Sequence, residues 1–252
     1  MKFALFLILA AFAPSQKAQG APWKQVWETK VPGKPVAAFF HAGDGRIYVS
    51  TQRSEAKSAV WALSDLGALS AKALLEESGV AGPLRAGGGR LYWAVGEKVI
   101  SFTPGGERKK EEARVSGEIF DIAVDPKGEV YVAGLRGFFR GEILVDPASS
   151  HGLFFLGTDL NWLKDGRAVV SLSSPSPVKI CPTSCKWLER APDGSWITVR
   201  GNQVVTVGKK ERVLAEGKGI GKPAYVYRRE SKDDLLVIPF PDEGMVRAYR
   251  SP

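Results

Sequence analysis

Asp121-Ile122-Ala123-Val124-Asp125-Pro126-Lys127-Gly128-Glu129-Val130-Tyr131-Val132-Ala133 is the stretch that decides the fold. Its first four residues make a short apolar strand. Its last five make a second strand, rich in β-branched and aromatic side chains. Between them, Asp-Pro-Lys-Gly has the composition of a tight turn, with Gly128 supplying the positive φ that a hairpin requires. The segment reads as a β-hairpin.

The same unit recurs on both sides of it. Upstream are Ala37-Ala38-Phe39-Phe40 with the turn Gly43-Asp44-Gly45, and Pro83-Leu84-Arg85-Ala86 with Gly87-Gly88-Gly89. Downstream are Asp159-Leu160-Asn161-Trp162 with Lys164-Asp165-Gly166, Trp187-Leu188-Glu189-Arg190 with Pro192-Asp193-Gly194, and a worn copy from Ala224 to Ile238. Turn glycines at 45, 89, 128, 166 and 194 give a spacing near forty residues, except for 28 between the last two. Repeats of that length, with several strands and no helix, predict an all-β fold, a six-bladed β-propeller with one blade abbreviated. A two-sheet sandwich has a similar strand count but rarely repeats one hairpin so regularly. Third strands are expected at Ala59–Leu63, Lys98–Phe102, Gln203–Val207 and Met245–Tyr249, and outer strands at Ala73–Leu75 and Arg212–Leu214. The chain ends on a third strand, so Trp23 to Thr29 is expected to close the ring as the last blade's outer strand, hiding two sheet edges.

Residues 1–20 read as a signal peptide: Met1-Lys2, the apolar run Phe3 to Phe12, then Ala18-Gln19-Gly20 before a cut at Ala21. That leaves 21–252 as a single propeller domain, periplasmic or secreted. The apolar run is too short for a membrane helix and no later segment approaches that length, so no transmembrane anchor is expected. Losing Lys2 and Lys17 lowers the formal charge from +8 to +6. The basic residues are scattered and interleaved with acids, which argues against a nucleic-acid partner. A monomer is expected.

Cys181 and Cys185, spaced C-x3-C, are the chain's two cysteines. In an exported protein such a pair reads first as a disulfide, here pinning the short crossing from the fourth copy to the fifth. A metal site would need further ligands nearby, and the spacing fits neither redox nor haem-attachment motifs.

No complete catalytic constellation can be read. His41 and His151 are the two histidines, no G-x-S-x-G elbow is present, and Gly87-Gly88-Gly89 lacks the Lys-Ser or Lys-Thr of a phosphate loop. Propeller ligands meet the inner strands or the loops leading into them. Polar residues there are Lys34, Glu118, Asp121, Asp159, Asn161, Glu189 and Lys222. The expected ligand-binding set is Lys34, Asp121, Asp159, Asn161, Trp162, Trp187 and Glu189. Asp121 and Asp159 both lie seven residues ahead of a turn glycine, so equivalent positions on adjacent blades could face each other across the channel mouth. With Asn161 they would suit a divalent cation such as calcium; alternatively each caps a strand or bonds a neighbouring backbone N–H.

The hairpin Asp121–Ala133, with its Asp125-Pro126-Lys127-Gly128 turn and Tyr131, resembles the NHL-type and gluconolactonase-like six-bladed propellers, and the repeat covers most of 33–249. That resemblance implies a channel metal held by a Glu of a first-blade Glu-Gly-Pro segment and by later Asn and Asp residues. Here Gly33 stands in the place of that Glu, before Lys34-Pro35. Asn161 is similar to the family's Pro-Asn-Gly asparagine but is flanked by Leu160 and Trp162, and Glu189-Arg190 occupies the later Asp position. Two functions are therefore carried forward. The first is an exported, non-enzymatic propeller presenting channel-mouth loops to an envelope protein, peptide or glycan, with no cofactor. The alternative is a metal-dependent lactonase or esterase-like hydrolase using Asp121, Asp159 and Asn161.

Overall fold

The computed structural model describes residues 23–156, 158–174, 176–181, 183–190, 195–207, 211–226 and 234–251. The expected signal peptide, the Pro192-Asp193-Gly194 turn and the charged turn around Lys232-Asp233 lie outside them.

The deciding hairpin forms as its residues dictate. Asp125 Oδ1 accepts hydrogen bonds from the backbone N–H groups of Lys127 and Glu129, 2.8 Å each, and Gly128 takes φ +87°. The two arms pair antiparallel from Asp121 opposite Ala133 to Val124 opposite Val130. Repetition of this unit gives six four-stranded antiparallel sheets among the described residues. Blade one holds β2 (Lys34–His41), β3 (Arg46–Ser54), β4 (Lys57–Leu63) and β5 (Leu75–Ser78). Blade two holds β6 (Ala81–Gly87), β7 (Arg90–Val95), β8 (Lys98–Phe102) and β9 (Lys110–Arg114). In blade three are β10 (Ile119–Val124), β11 (Val130–Gly134), β12 (Gly137–Arg140) and β13 (Ile143–Asp146), and in blade four β14 (Ser150–Leu156), β15 (Asp159–Lys164), β16 (Ala168–Ser171) and β17 (Val178–Lys179). Blade five is β18 (Lys186–Arg190), β19 (Trp196–Arg200), β20 (Gln203–Val207) and β21 (Arg212–Glu216). Blade six takes β22 (Ala224–Val226), β23 (Leu235–Phe240) and β24 (Met245–Arg250) from the end of the chain, and β1 (Lys24–Lys30) from its beginning.

The core lies between blades. Tyr48 and Val60 of blade one pack with Leu84, Leu91 and Trp93 of blade two. Tyr131 and Phe138 of blade three pack with Leu153, Leu160 and Trp162 of blade four. Ile197 and Val204 of blade five meet Leu236, Ile238 and Phe240 of blade six. Blade six then meets blade one, with Val226, Val237 and Ala248 against Ala38, Ile47 and Val49, so the ring closes on itself. Backbone bonds reinforce this last joint: Lys222 N–H donates to Val36 O at 2.8 Å, and Ala38 N–H to Lys222 O at 2.9 Å. β1 pairs with β24 as expected from Trp23–Thr29, and its Trp27 and Thr29 side chains bond the 65–67 loop of blade one. The chain is a six-bladed β-propeller.

The abbreviation falls in blade four, whose outer strand β17 has two residues. Cys181 and Cys185 follow it at disulfide distance, Cα atoms 6.3 Å apart, fully buried with Leu163 and Leu188 between blades four and five. One expectation needs correction. Asp159–Trp162 is the second strand of its blade, because the innermost place is taken by Ser150–Leu156. The Lys164-Asp165-Gly166 turn joins strands two and three, with Asp165 and Gly166 both at positive φ (+49° and +66°). Blade three also has a third strand, Gly137–Arg140, that the repeat reading did not include, and blade one's outer strand begins at Leu75, where the expected one ended. Among the described residues no helix is long and apolar enough to cross a membrane.

Candidate functional site

Six inner strands line the axis, and five of them carry a register shift near their start: Pro35/Ala37, Ala81/Leu84, Ile119/Asp121, Ser150/Leu153 and Lys186/Glu189. An extra residue in a ladder bends the strand and re-aims the side chains beside it. The side chains beside three of these shifts, Arg85, Asp121 and Glu189, join Lys222 of blade six in an ion cluster on the axis.

Asp121, on β10, is its centre. Asp121 Oδ1 pairs with the Lys222 ammonium and accepts the Ile122 N–H at 2.9 Å. Oδ2 accepts the Leu153 N–H at 3.0 Å, and the Arg85 guanidinium approaches it at 3.3 Å. Lys222 belongs to blade six and Asp121 to blade three, so this contact crosses the full width of the ring. Arg85 of blade two similarly reaches Glu189 of blade five, at a looser 4.0 Å. Exposure grades along the cluster: the Lys222 and Asp121 side chains are 1% and 0% exposed, Arg85 14% and Glu189 38%. The axis is therefore closed by side chains at Asp121 and Lys222 and opens on the side of Glu189.

Burial and the nearby Arg85 charge pull the Lys222 pKa down to about 8, against the raising influence of Asp121 and Glu189. Beside the cluster stand half-buried aromatics from inner strands. Phe120 stacks on His151 with ring centroids 4.9 Å apart, and Trp187 Nε1 donates to Phe120 O at 2.9 Å. Trp187 itself sits at φ +56°, its carbonyl held by Thr198 Oγ1 at 2.7 Å. Burial, then the Lys186 charge, holds the His151 pKa below its usual value, against Asp165.

The residues expected from sequence are distributed unevenly. Asp121, Glu189 and Trp187 stand at or beside the axis. Lys34 is exposed at the start of β2 and takes no part in the cluster. Asp159, Asn161 and Trp162 lie on the second strand of blade four and not on an inner strand, which corrects their expected place at the channel. Asp159 is engaged by the hydroxyls of Ser171 and Ser173, and those bonds lower its pKa. Asn161 is buried and donates to Asp159 O at 3.0 Å. Trp162 is 5% exposed and stacks on Phe138 at 4.7 Å, a core position between blades three and four.

A divalent ion of the kind implied by the gluconolactonase-like resemblance does not fit this arrangement. Both Asp121 oxygens are already held by two cations and two backbone donors. Among the described residues no group of three or more His, Cys, Asp and Glu side chains gathers as a metal site. Arg85 is the residue that sequence reading missed. A lone charge in the apolar inner strand Pro83-Leu84-Arg85-Ala86 was the available signal.

No family model matches the chain, and neither does any curated protein. Among solved structures the chain is similar to a protein provisionally described as a gluconolactonase (TM-score 0.60, 12% identity, 92% of this chain and 93% of that one). It is also similar to a catalytically inactive virginiamycin B lyase from Staphylococcus aureus with quinupristin (TM-score 0.56, 12% identity, 90% and 88% covered). A third likeness is to the Pan2 WD40 domain of Neurospora crassa (TM-score 0.56, 11% identity, 91% and 95% covered). Three descriptions so different share an architecture, and function lives in sites grafted on it. What they have in common with this chain is the fold.

Proposed function

We propose that the chain is an exported, non-enzymatic binding propeller that presents its channel mouth to a protein, peptide or glycan of the cell envelope. The observation that carries this reading is the closed axis. Side chains from opposite blades meet at Asp121 and Lys222, both essentially unexposed, so the axis is blocked there and leaves a mouth on the Glu189 side in place of a through-channel. Around the more open side, Glu189, Trp187, Phe120 and His151 stay partly exposed and supply a polar and aromatic rim. Export is supported by the apolar run at the N-terminus and by the buried Cys181–Cys185 pair. The hydrolase reading has less behind it, since its three residues do not converge.

Immobilised mature chain should capture a specific component from an envelope extract, and Phe120→Ala, at a partly exposed rim position, should weaken that capture without altering the circular dichroism spectrum. Recovery of nothing specific, or capture indifferent to rim substitutions, would count against the proposal.

A further inference from the structure

The buried part of the axial cluster is short of negative charge. Arg85 and Lys222 carry two positive charges, and Asp121 supplies one negative. Glu189, the fourth member, is the most exposed and stands 4.0 Å away. Asp121 is already served by the Lys222 ammonium and two backbone N–H groups, and Arg85 is its most distant donor. All three Arg85 contacts fall on one nitrogen, Nη2, at 3.3, 3.4 and 4.0 Å to Asp121, Leu153 O and Glu189. None is as short as an ordinary charge-assisted bond, about 2.7–2.9 Å. Among the described residues Nε and Nη1 donate to nothing. A guanidinium with its fork unspent, whose balancing carboxylate Glu189 is partly exposed and 4.0 Å away at a partly open mouth, is suited to a planar or tetrahedral oxyanion.

We infer that Arg85 is the anchor of an oxyanion-binding site at the channel mouth, taking a carboxylate or phosphate group of the ligand, with Glu189 as the internal carboxylate that the ligand displaces. The inference rests on the binding reading above and names the chemistry of its ligand. The half-buried rings of Phe120, His151 and Trp187 beside the cluster suit an acid carried on an apolar or ring-shaped body. The chain's basic charge balance favours an anionic partner at longer range.

The probes are sodium acetate and sodium phosphate, titrated at constant ionic strength against chloride into ¹⁵N-labelled protein. The Arg85 Nε–H and the amides of Ile122 and Leu153 report. A saturable shift is expected, with the stronger of the two anions identifying carboxylate or phosphate. Glu189→Gln removes the competitor at a partly exposed position and should tighten binding several-fold. Arg85→Lys keeps the charge but loses the fork and should weaken it about tenfold or more. The site is refuted if neither wild type nor Glu189→Gln saturates with either anion, or if the Leu153 shift survives unchanged in Arg85→Lys. Envelope capture separates the two readings. Capture undiminished in Arg85→Lys leaves the binding proposal standing without this site, and anion binding without any capture leaves the site standing without the proposal.

Discussion

Asp121 and Asp159 occupy the same distance from a turn glycine, yet the fold gives them opposite circumstances. Asp121 lies on the inner strand of blade three, fully buried, with two cations and two backbone N–H groups on its oxygens. Asp159 opens the second strand of blade four and bonds two serine hydroxyls at a partly exposed edge. The difference shows that a turn signal gives strand spacing without saying which turn of the blade it closes. A one-strand slip moves a carboxylate from the axis into the body of the blade, and its chemistry changes with it.

The largest effect that would sharpen this contrast is on stability. Asp121→Ala leaves Lys222 and Arg85 without their shared carboxylate, and breaking a buried pair in this way costs about 3–5 kcal/mol. Chemical unfolding followed by circular dichroism measures it. Asp159→Ala should shift the midpoint only slightly, because water can replace what the serines lose. The double variant Asp121→Leu with Lys222→Met should regain part of the loss, since an apolar pair leaves less uncompensated charge. A drop for Asp159→Ala as large as that for Asp121→Ala would break the comparison.

A smaller effect should appear as pH dependence. The folded-state pKa of Lys222 is near 8, below its ordinary value of 10.5. Between those values the unfolded chain holds more protons than the folded one, so stability attributable to this group increases with pH across that window. It is lost again as pH falls through about 8 and the buried ammonium charges. The stability of wild type minus that of Lys222→Met should therefore rise from pH 8 toward pH 10.5; a flat or falling difference would mean that the ammonium is not held in the closed axis.

Much of the fold was legible because its signals are local. The Asp125–Gly128 turn, the alternating strands and the closing segment Trp23–Thr29 all encode backbone geometry directly. Blade four was misregistered because Asp165-Gly166 is a good hairpin turn wherever it occurs, while the true inner strand Ser150–Leu156 lacks the acidic-turn signature of its neighbours. At the candidate site, Asp121, Trp187 and Glu189 could be named from their place in the repeat. Arg85 and its relation to Asp121 could not, because that contact depends on bulges that re-aim the inner-strand side chains of the neighbouring blades two and three.

The smallest expected effect bears on the metal-dependent alternative. If Asp121, Asp159 and Asn161 shared a divalent ion, calcium or zinc would raise the melting temperature, and Asp159→Ala would abolish the rise. The geometry argues for a different outcome. A cation approaching Asp121 meets the Lys222 ammonium and the Arg85 guanidinium already in place, and these two charges next to the carboxylate repel it. At Asp159, two serine hydroxyls and the Ser173 N–H already occupy the carboxylate. Melting curves of wild type and Asp159→Ala should therefore respond alike, within error, to millimolar calcium or zinc. A shift seen in wild type alone would reunite the two carboxylates in one site and return the hydrolase to contention.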